Sequence, residues 1–437
     1  MDDWRPTPAL RRVVSLLVLL LIGAVATGRP DLVALALPLA LGTGWALRRR
    51  PERPPRVTLT AAEDQLAEGE ELAVEASVMN PADQDFTPVT IEVAASRWLP
   101  LRRADGADVR RPLVVALPAG QVADVALRAE ALRWGRRRLG PARALFHACD
   151  ALLATDHVLS GRTEIRVHPV VDAFEADDAM PRAAGLTGTH RSQRAGEGGE
   201  LVGVRQFAPG DRLRRVDWRV SLRTRQLHVA ATLSDRDAEV ALLLDTLHEA
   251  GASGGVHGAA SALDTTVRGA AAVAEHYLRR GDRVSLLEFG ARNRHLRAAS
   301  GRWQRQAVRE WLLDTRAAST ELDLSRWLAR PGRLPANALT VVFTPVLAER
   351  SAALLAQLAR SGRFLIAIDT LPGQARPELV SDWLEPAIRL WRLERQNTVD
   401  ELREHGVPVV RWRGSGSLDE VLRDVARMAL SARVAPR

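Results

Sequence analysis

The sequence predicts an α+β multidomain chain: an N-terminal transmembrane helical hairpin, a β-sandwich-like domain, and a C-terminal α/β domain on a parallel sheet. Three observations lead there. Two uncharged apolar runs, Val13–Gly28 and Leu32–Leu47, stand in tandem around Arg29-Pro30-Asp31. Period-2 alternation dominates residues 56–170. Beyond residue 238, continuous apolar strands alternate with amphipathic helices.

Each apolar run has 16 residues. That is about 24 Å of helix, so flanking residues must extend it across a hydrocarbon core of roughly 30 Å. The Arg-Pro-Asp reversal makes the pair a hairpin within residues 1–50. Arg5, Arg11 and Arg12 precede the first run, and Arg48, Arg49, Arg50, Arg53 and Arg56 follow the second, while the turn is net neutral. The positive-inside bias then puts both flanks, and everything after Arg48, on the cytoplasmic side of a multi-pass protein of the cell membrane. The competing reading is a cleavable signal peptide ending at Ala24-Val25-Ala26, which would make this an exported surface-binding protein. The second run with its Arg stop argues against it.

Residues 51–56 (PERPPR) read as a stiff polar linker. Alternating strands follow at Arg56–Thr60, Glu71–Val78, Val89–Ala94, Val122–Leu127, Ala142–Phe146 and Glu164–Val167, with turn signals at Asn80-Pro81 and Gly140-Pro141. They make an immunoglobulin-like sandwich ending near Pro169. Small and polar residues over 172–199 read as linker or mobile loop within a connecting segment, 171–237. In the last domain, 238–437, the predicted strands are Val240–Asp245, Val284–Phe289, Leu339–Phe343, Phe364–Ile368 and Val407–Arg411. The predicted helices are Leu263–Arg280, Arg302–Leu313, Ala348–Arg360 and Leu418–Leu430. This order means a parallel sheet covered on both faces.

Composition removes several function classes. Of 437 residues, 46% are hydrophobic and 26% charged, as in a globular chain. The lone Cys149 permits no internal disulfide and suits a reducing compartment. The net charge is +8, yet residues 1–56 hold nine Arg against four acids, which leaves 52 basic and 49 acidic residues for the rest. The excess therefore flanks the apolar runs and forms no nucleic-acid face. All 61 basic residues are Arg. Without Lys there is no P-loop, kinase or Schiff-base lysine, so the Gly-rich stretches Gly196–Gly199 and Gly251–Gly258 are not Walker motifs.

Gly199–Val229 reads GELVGVRQFAPGDRLRRVDWRVSLRTRQLHV, in which Arg205, Pro209, Gly210, Asp211, Arg214, Val216 and Trp218 stand in the register of a known signature. Upstream, Arg133–Pro141, Asp150-Ala151-Leu152 and Val167-His168-Pro169 repeat the pattern. On these residues the chain resembles the DUF58 family, departing from it at Gln206-Phe207, where Glu-Tyr is usual, and at Asp150-Ala151, where Asp-Pro is usual. The resemblance implies that the last domain is Rossmann-like, of the von Willebrand factor A-like type. It also implies partnership with a MoxR-type AAA+ ATPase and a transglutaminase-like membrane protein. Such domains bind a divalent cation through Asp-x-Ser-x-Ser, a loop Thr and a further Asp. Asp245 matches the first position, but Leu247 and Glu249 replace the serines, Thr344-Pro345 replaces Thr-Asp, and Thr320 is the remaining candidate. The metal site is expected to be vestigial, with no cofactor.

Two constellations remain. Pro209-Gly210-Asp211 reads as a tight turn and Trp218 as a buried anchor that locks it down. Arg205, Asp211, Arg214, Arg215 and Arg219 then present a charged surface to a protein partner. His147 and Cys149 lie two apart in a β-like segment, which would put them on one face and permit a cysteine-dependent hydrolase. Cysteine is more often a buried small hydrophobe, and no HExxH or CxxC motif is present. The function expected is a membrane-tethered cytoplasmic adaptor or assembly factor, not an enzyme.

Overall fold

The computed structural model describes residues 4–104, 112–171, 195–207, 216–233, 239–318, 334–335, 338–373 and 381–412. The chain divides into two compact units, Met1–His168 and Pro169–Arg437.

The first unit opens with β1 (Trp4–Pro6), followed by α1 (Pro8–Thr27) and α2 (Asp31–Leu47). Thr7 caps α1 by accepting from the Leu10 amide, Pro8 occupies the first turn, and Gly28 ends the helix at φ +66°. Helix formation therefore starts before the apolar run and takes in Arg11 and Arg12. At 20 residues α1 is long and apolar enough to cross a membrane, and the shorter α2 is apolar after Asp31 in its first turn. Leu19, Ile22 and Val25 on α1 and Leu35 and Leu41 on α2 are exposed along the sides of the pair.

The strands that follow form a sandwich-like body. One sheet runs β1, β11 (Leu153–Thr155), β10 (Ala142–Ala148), β5 (Phe86–Val93), β7 (Leu113–Leu117), with β12 (Val158–Leu159) also on β10. The second runs β2 (Arg56–Ala61), β4 (Glu71–Met79), β8 (Val122–Glu130), β6 (Leu101–Arg103). A third small sheet joins β3 (Gln65–Ala67), β13 (Thr163–His168) and β9 (Gly135–Leu139). In β4, Leu72, Val74, Ala76 and Val78 point into the core, and Glu71, Ala73 and Glu75 point out, as its alternation predicts.

Two features of this unit were not foreseen. Trp4 is buried, its ring 5.4 Å from that of Phe86, which in turn meets Phe146 edge-on at 5.7 Å. The hairpin thus contributes a strand and a core aromatic to the sandwich. Residues 51–55 do not hang free as a linker either: Pro51 and Pro55 are buried, and Arg53 reaches the Pro81 carbonyl.

In the second unit, β14 (Ala195–Gln206) and β15 (His228–Leu233) pair antiparallel around α3 (Trp218–Thr224). Residues 195–199, expected to be loop, belong to this strand. Six strands then form one sheet in the order β18 (His295–Ala299), β17 (Arg283–Phe289), β16 (Glu239–Asp245), β19 (Leu339–Thr344), β20 (Leu365–Asp369), β21 (Val409–Arg411). All pairs are parallel except the edge strand β18. Val240–Leu244 are fully buried, as a central parallel strand requires. The helices are α4 (Ala262–Arg279), α5 (Gly301–Leu313), α6 (Glu349–Arg360) and α7 (Leu384–Glu404). A reciprocal Ser261–Asp264 capping box starts α4. Gly269 lets that helix approach the sheet, since a Cβ there would lie 2.8 Å from the buried Phe343 ring. The 21-residue α7 and the strand β18 are additions to the predicted elements. The helix expected over 418–430 lies outside the described residues.

Trp4→Ala removes a buried aromatic and is expected to destabilise the first unit by about 3–5 kcal/mol. Calorimetry of the detergent-solubilised chain should show one transition shifted down and the other, from the second unit, unmoved.

Candidate functional site

The carboxyl edge of the six-stranded sheet gathers three buried acids, Asp245, Glu288 and Asp369. In open α/β sheets this edge is where ligands bind. Here each acid is occupied from within. Asp245 Oδ2 accepts from Thr344 Oγ1 and from Ser351 Oγ, both at 2.6 Å, and its Oδ1 accepts from the Leu247 amide at 3.1 Å. Glu288 pairs with Arg294 at 2.5 Å and accepts from Thr246 Oγ1 at 3.2 Å. Asp369 pairs with the buried Arg395 at 2.6 Å and accepts from the Leu371 amide at 3.0 Å. Arg395 also donates to the Pro345 carbonyl from Nε and one terminal nitrogen.

Among the described residues this arrangement does not fit a divalent cation. Leu247 is packed in the hydrophobic core, and Pro345 offers only a carbonyl already bonded to a guanidinium. Glu249, at the other serine position, accepts from Ser261 Oγ at 2.8 Å. The positive charge of Arg395 stands fixed at the carboxyl edge, where another cation would be repelled. Asp245 therefore serves as a hydrogen-bond hub. Burial pushes its carboxyl above the ordinary value, against the opposing pull of the Ser351 and Thr344 hydroxyls. Thr320 lies outside the described residues. Ser351, Asp369 and Arg395 entered no sequence motif; the signal was spatial, since Ser351 lies 106 residues from Asp245.

The signature segment is built differently from expectation. Asp217 caps α3, its Oδ1 accepting from the Arg219 and Val220 amides at 3.0 and 3.1 Å. Ser221 Oγ accepts from the His228 amide at 2.9 Å, and Val216 bridges to Val229, both buried. Val216 thus takes the core position assigned to Trp218. Trp218, at the first turn of α3, is 63% exposed and Leu222, one turn on, is 78% exposed. Spacing of four puts them on one helical face. Arg219 and Arg223 are exposed beside them, without a carboxylate partner among the described residues. Arg205 is paired through its backbone with Val229. Pro209, Gly210, Asp211, Arg214 and Arg215 lie outside the described residues.

Cys149 and His147 do not form a pair. Strand β10 ends at Ala148, and Cys149, Asp150 and Ala151 turn away at φ of 54°, 53° and 63°, so the alternation that would align them stops. Cys149 Sγ faces the Arg49 carbonyl at 3.7 Å, and His147 Nδ1 lies 2.9 Å from the Pro88 carbonyl. Burial, then the neighbouring Asp150 charge, pushes the thiol up, away from the thiolate form.

Residues 203–372 match the family described as "Protein of unknown function DUF58". The match spans the signature segment and most of the six-stranded sheet. Uncharacterized proteins of Mycobacterium bovis and Mycobacterium tuberculosis are 40% identical over 60 residues, 14% of this chain and 19% of theirs. The chain therefore matches about a fifth of the length of these curated relatives. Among solved structures, the CARDB domain of a Pyrococcus furiosus protein is 11% identical at a TM-score of 0.20, covering 27% of this chain and 94% of that domain. A cohesin module from a Clostridium perfringens glycoside hydrolase is 10% identical at a TM-score of 0.19, covering 26% of this chain and 98% of that module. Likeness at that level decides neither fold nor function.

Asp245 yields a pH test. A buried acid whose value is raised holds its proton in the native state after the unfolded chain has released it, near pH ~4. Above that point stability falls as pH rises, until the native carboxyl ionises. In Asp245→Asn this contribution is absent. The variant's melting temperature should therefore gain on the parent's as pH rises above about 4, with shared titrations cancelling. A gap independent of pH would show that Asp245 ionises normally.

Proposed function

We propose that this chain is a membrane-tethered cytoplasmic adaptor or assembly factor whose second unit binds protein partners through the signature helix α3. The observation that carries this reading is the exposed Trp218–Leu222 pair flanked by Arg219 and Arg223. Aromatic and Arg side chains are the residues that dominate protein interfaces, and exposing them together in water has no stabilising purpose. The sheet edge agrees, since among the described residues its three buried acids are bonded from within. Sheet order with one antiparallel edge strand supports assigning the second unit to the von Willebrand factor A-like type.

The tether is supported by the exposed apolar flanks of α1 and α2 and by the Arg distribution around them. Removal of a signal peptide after Ala26 would take β1 and Trp4 out of the sandwich, which speaks against export by that route. The partner expected from the resemblance is a MoxR-type AAA+ ATPase, with a transglutaminase-like membrane protein as a second. The Arg residues of α3 would face an acidic patch on the partner. The hydrolase alternative has no Cys149–His147 contact behind it.

Trp218→Ala, and separately Arg219→Glu with Arg223→Glu, should abolish capture of the ATPase from native membranes. Because these side chains are exposed, stability should stay within about 0.5 kcal/mol of the parent. Cys149→Ala should leave capture intact. Unchanged partner recovery by both α3 variants would overturn the docking role.

A further inference from the structure

At the foot of the helical hairpin a cleft of about 570 Å³ opens between the end of α2, the following stretch to Arg53, and the loops after β4 and β10. Its location is set by the sequence. Trp45 stands in the last turn of α2, 59% exposed, and the Arg49 guanidinium lies 4.1 Å above its ring. Aromatic rings followed at once by arginines mark the boundary where hydrocarbon gives way to lipid headgroups. The cleft lies at this boundary, in a body held rigidly to the hairpin by β1.

The lining has a definite charge pattern. Three arginines and four carboxylates face the space, among them Arg49, Arg53, Asp83 and Asp85. Arg49 has no carboxylate partner among the described residues, and Arg53 makes one long bond, 3.4 Å, to the Pro81 carbonyl. Gln84 in the same lining has a buried Nε2 with no hydrogen-bond partner. A buried donor left in this state costs free energy that an arriving acceptor oxygen would recover. A phosphate supplies such oxygens, and it also suits the arginines. The carboxylates decide the rest. With four acids against three arginines, a headgroup that is only anionic meets net repulsion, whereas one that also carries a cation is matched at both ends.

We infer that this cleft is a binding site for a phospholipid headgroup that joins a phosphodiester to a primary ammonium, as in phosphatidylethanolamine. The phosphodiester lies toward Arg49, Arg53 and Gln84, and the ammonium toward Asp83 and Asp85. A primary ammonium donates hydrogen bonds to carboxylates; a quaternary ammonium does not. The inference rests on the membrane-tether reading given above.

The test uses the full chain, delipidated in detergent, with phosphatidylethanolamine, phosphatidylcholine or phosphatidylglycerol of identical acyl chains added separately. Retained lipid is counted by native mass spectrometry. Phosphatidylethanolamine should be retained about tenfold over each of the others, the discrimination that one or two charged hydrogen bonds provide. Asp83→Asn should erase the preference over phosphatidylglycerol, and Arg49→Gln should lower retention of all three; both residues are exposed. Equal retention of the three lipids by the parent chain, or phosphatidylglycerol in excess, overturns the proposal without any variant. So does soluble glycerophosphoethanolamine binding as tightly as the lipid, which would make the ligand a free phosphodiester. Alkaline carbonate extraction of native membranes separates the two readings. A chain released by carbonate overturns the tether and the lipid site together. A chain retained by membranes but without headgroup preference overturns the lipid site alone.

Discussion

The first unit depends on what Thr7 holds together. Its backbone amide donates to the Leu152 carbonyl at 3.0 Å, and its hydroxyl is shared between the carbonyls of Ala151 and Leu152 at 2.8 and 3.1 Å. The same oxygen accepts from the Leu10 amide and starts α1. One residue thereby joins the first helix to the turn Cys149–Ala151, three successive non-glycine residues at positive φ. Such residues cost on the order of 1–3 kcal/mol each, so the turn persists only where its surroundings hold it. Trp4 and the strand it heads supply the burial that does so. A hairpin fixed in this way carries its orientation into the sandwich, and the loops bordering the headgroup cleft keep their place relative to α2.

The second unit obeys a different constraint, the neutralisation of acids at a sheet edge. Two of the three buried acids are matched by arginines, Glu288 by Arg294 just after its own strand and Asp369 by Arg395 of α7, and Asp245 is matched by hydroxyls. Ion pairs this deep add little net stability against hydrophobic packing, but losing one partner is expensive. Among the described residues these acids are taken up by internal partners. The signature helix, by contrast, keeps Trp218, Leu222, Arg219 and Arg223 in solvent.

Much of the fold was legible because burial imposes simple periods. The two apolar runs, the alternation of β4 and the unbroken run of β16 each mark an element whose surroundings are uniform along its length. Helix α7 was not legible: its buried stripe is only Ile388, Arg395, Val399 and Leu402, and a charged residue in that stripe masks the period. β1 is three residues long, too short to show a period at all. Trp218 was misread because a hydrophobic-x-Trp triplet offers two apolar side chains for one core position, and Val216 fills it. At the candidate metal site only Asp245 matches a ligand position, while Leu247 and Pro345 stand where ligating oxygens would be needed. Ser351 and Arg395 could not be paired with their acids from sequence, because the partners lie 106 and 26 residues apart.

A cytoplasmic binding protein tethered by its N-terminal hairpin must have both ends of the hairpin inside the cell. Alkaline phosphatase, active only outside the cytoplasm, can be fused after Arg437 and, separately, inserted in the turn at Arg29-Pro30. The C-terminal fusion should be silent and the turn insertion active. An active C-terminal fusion with a silent turn would place the second unit outside the cytoplasm and contradict the proposed topology.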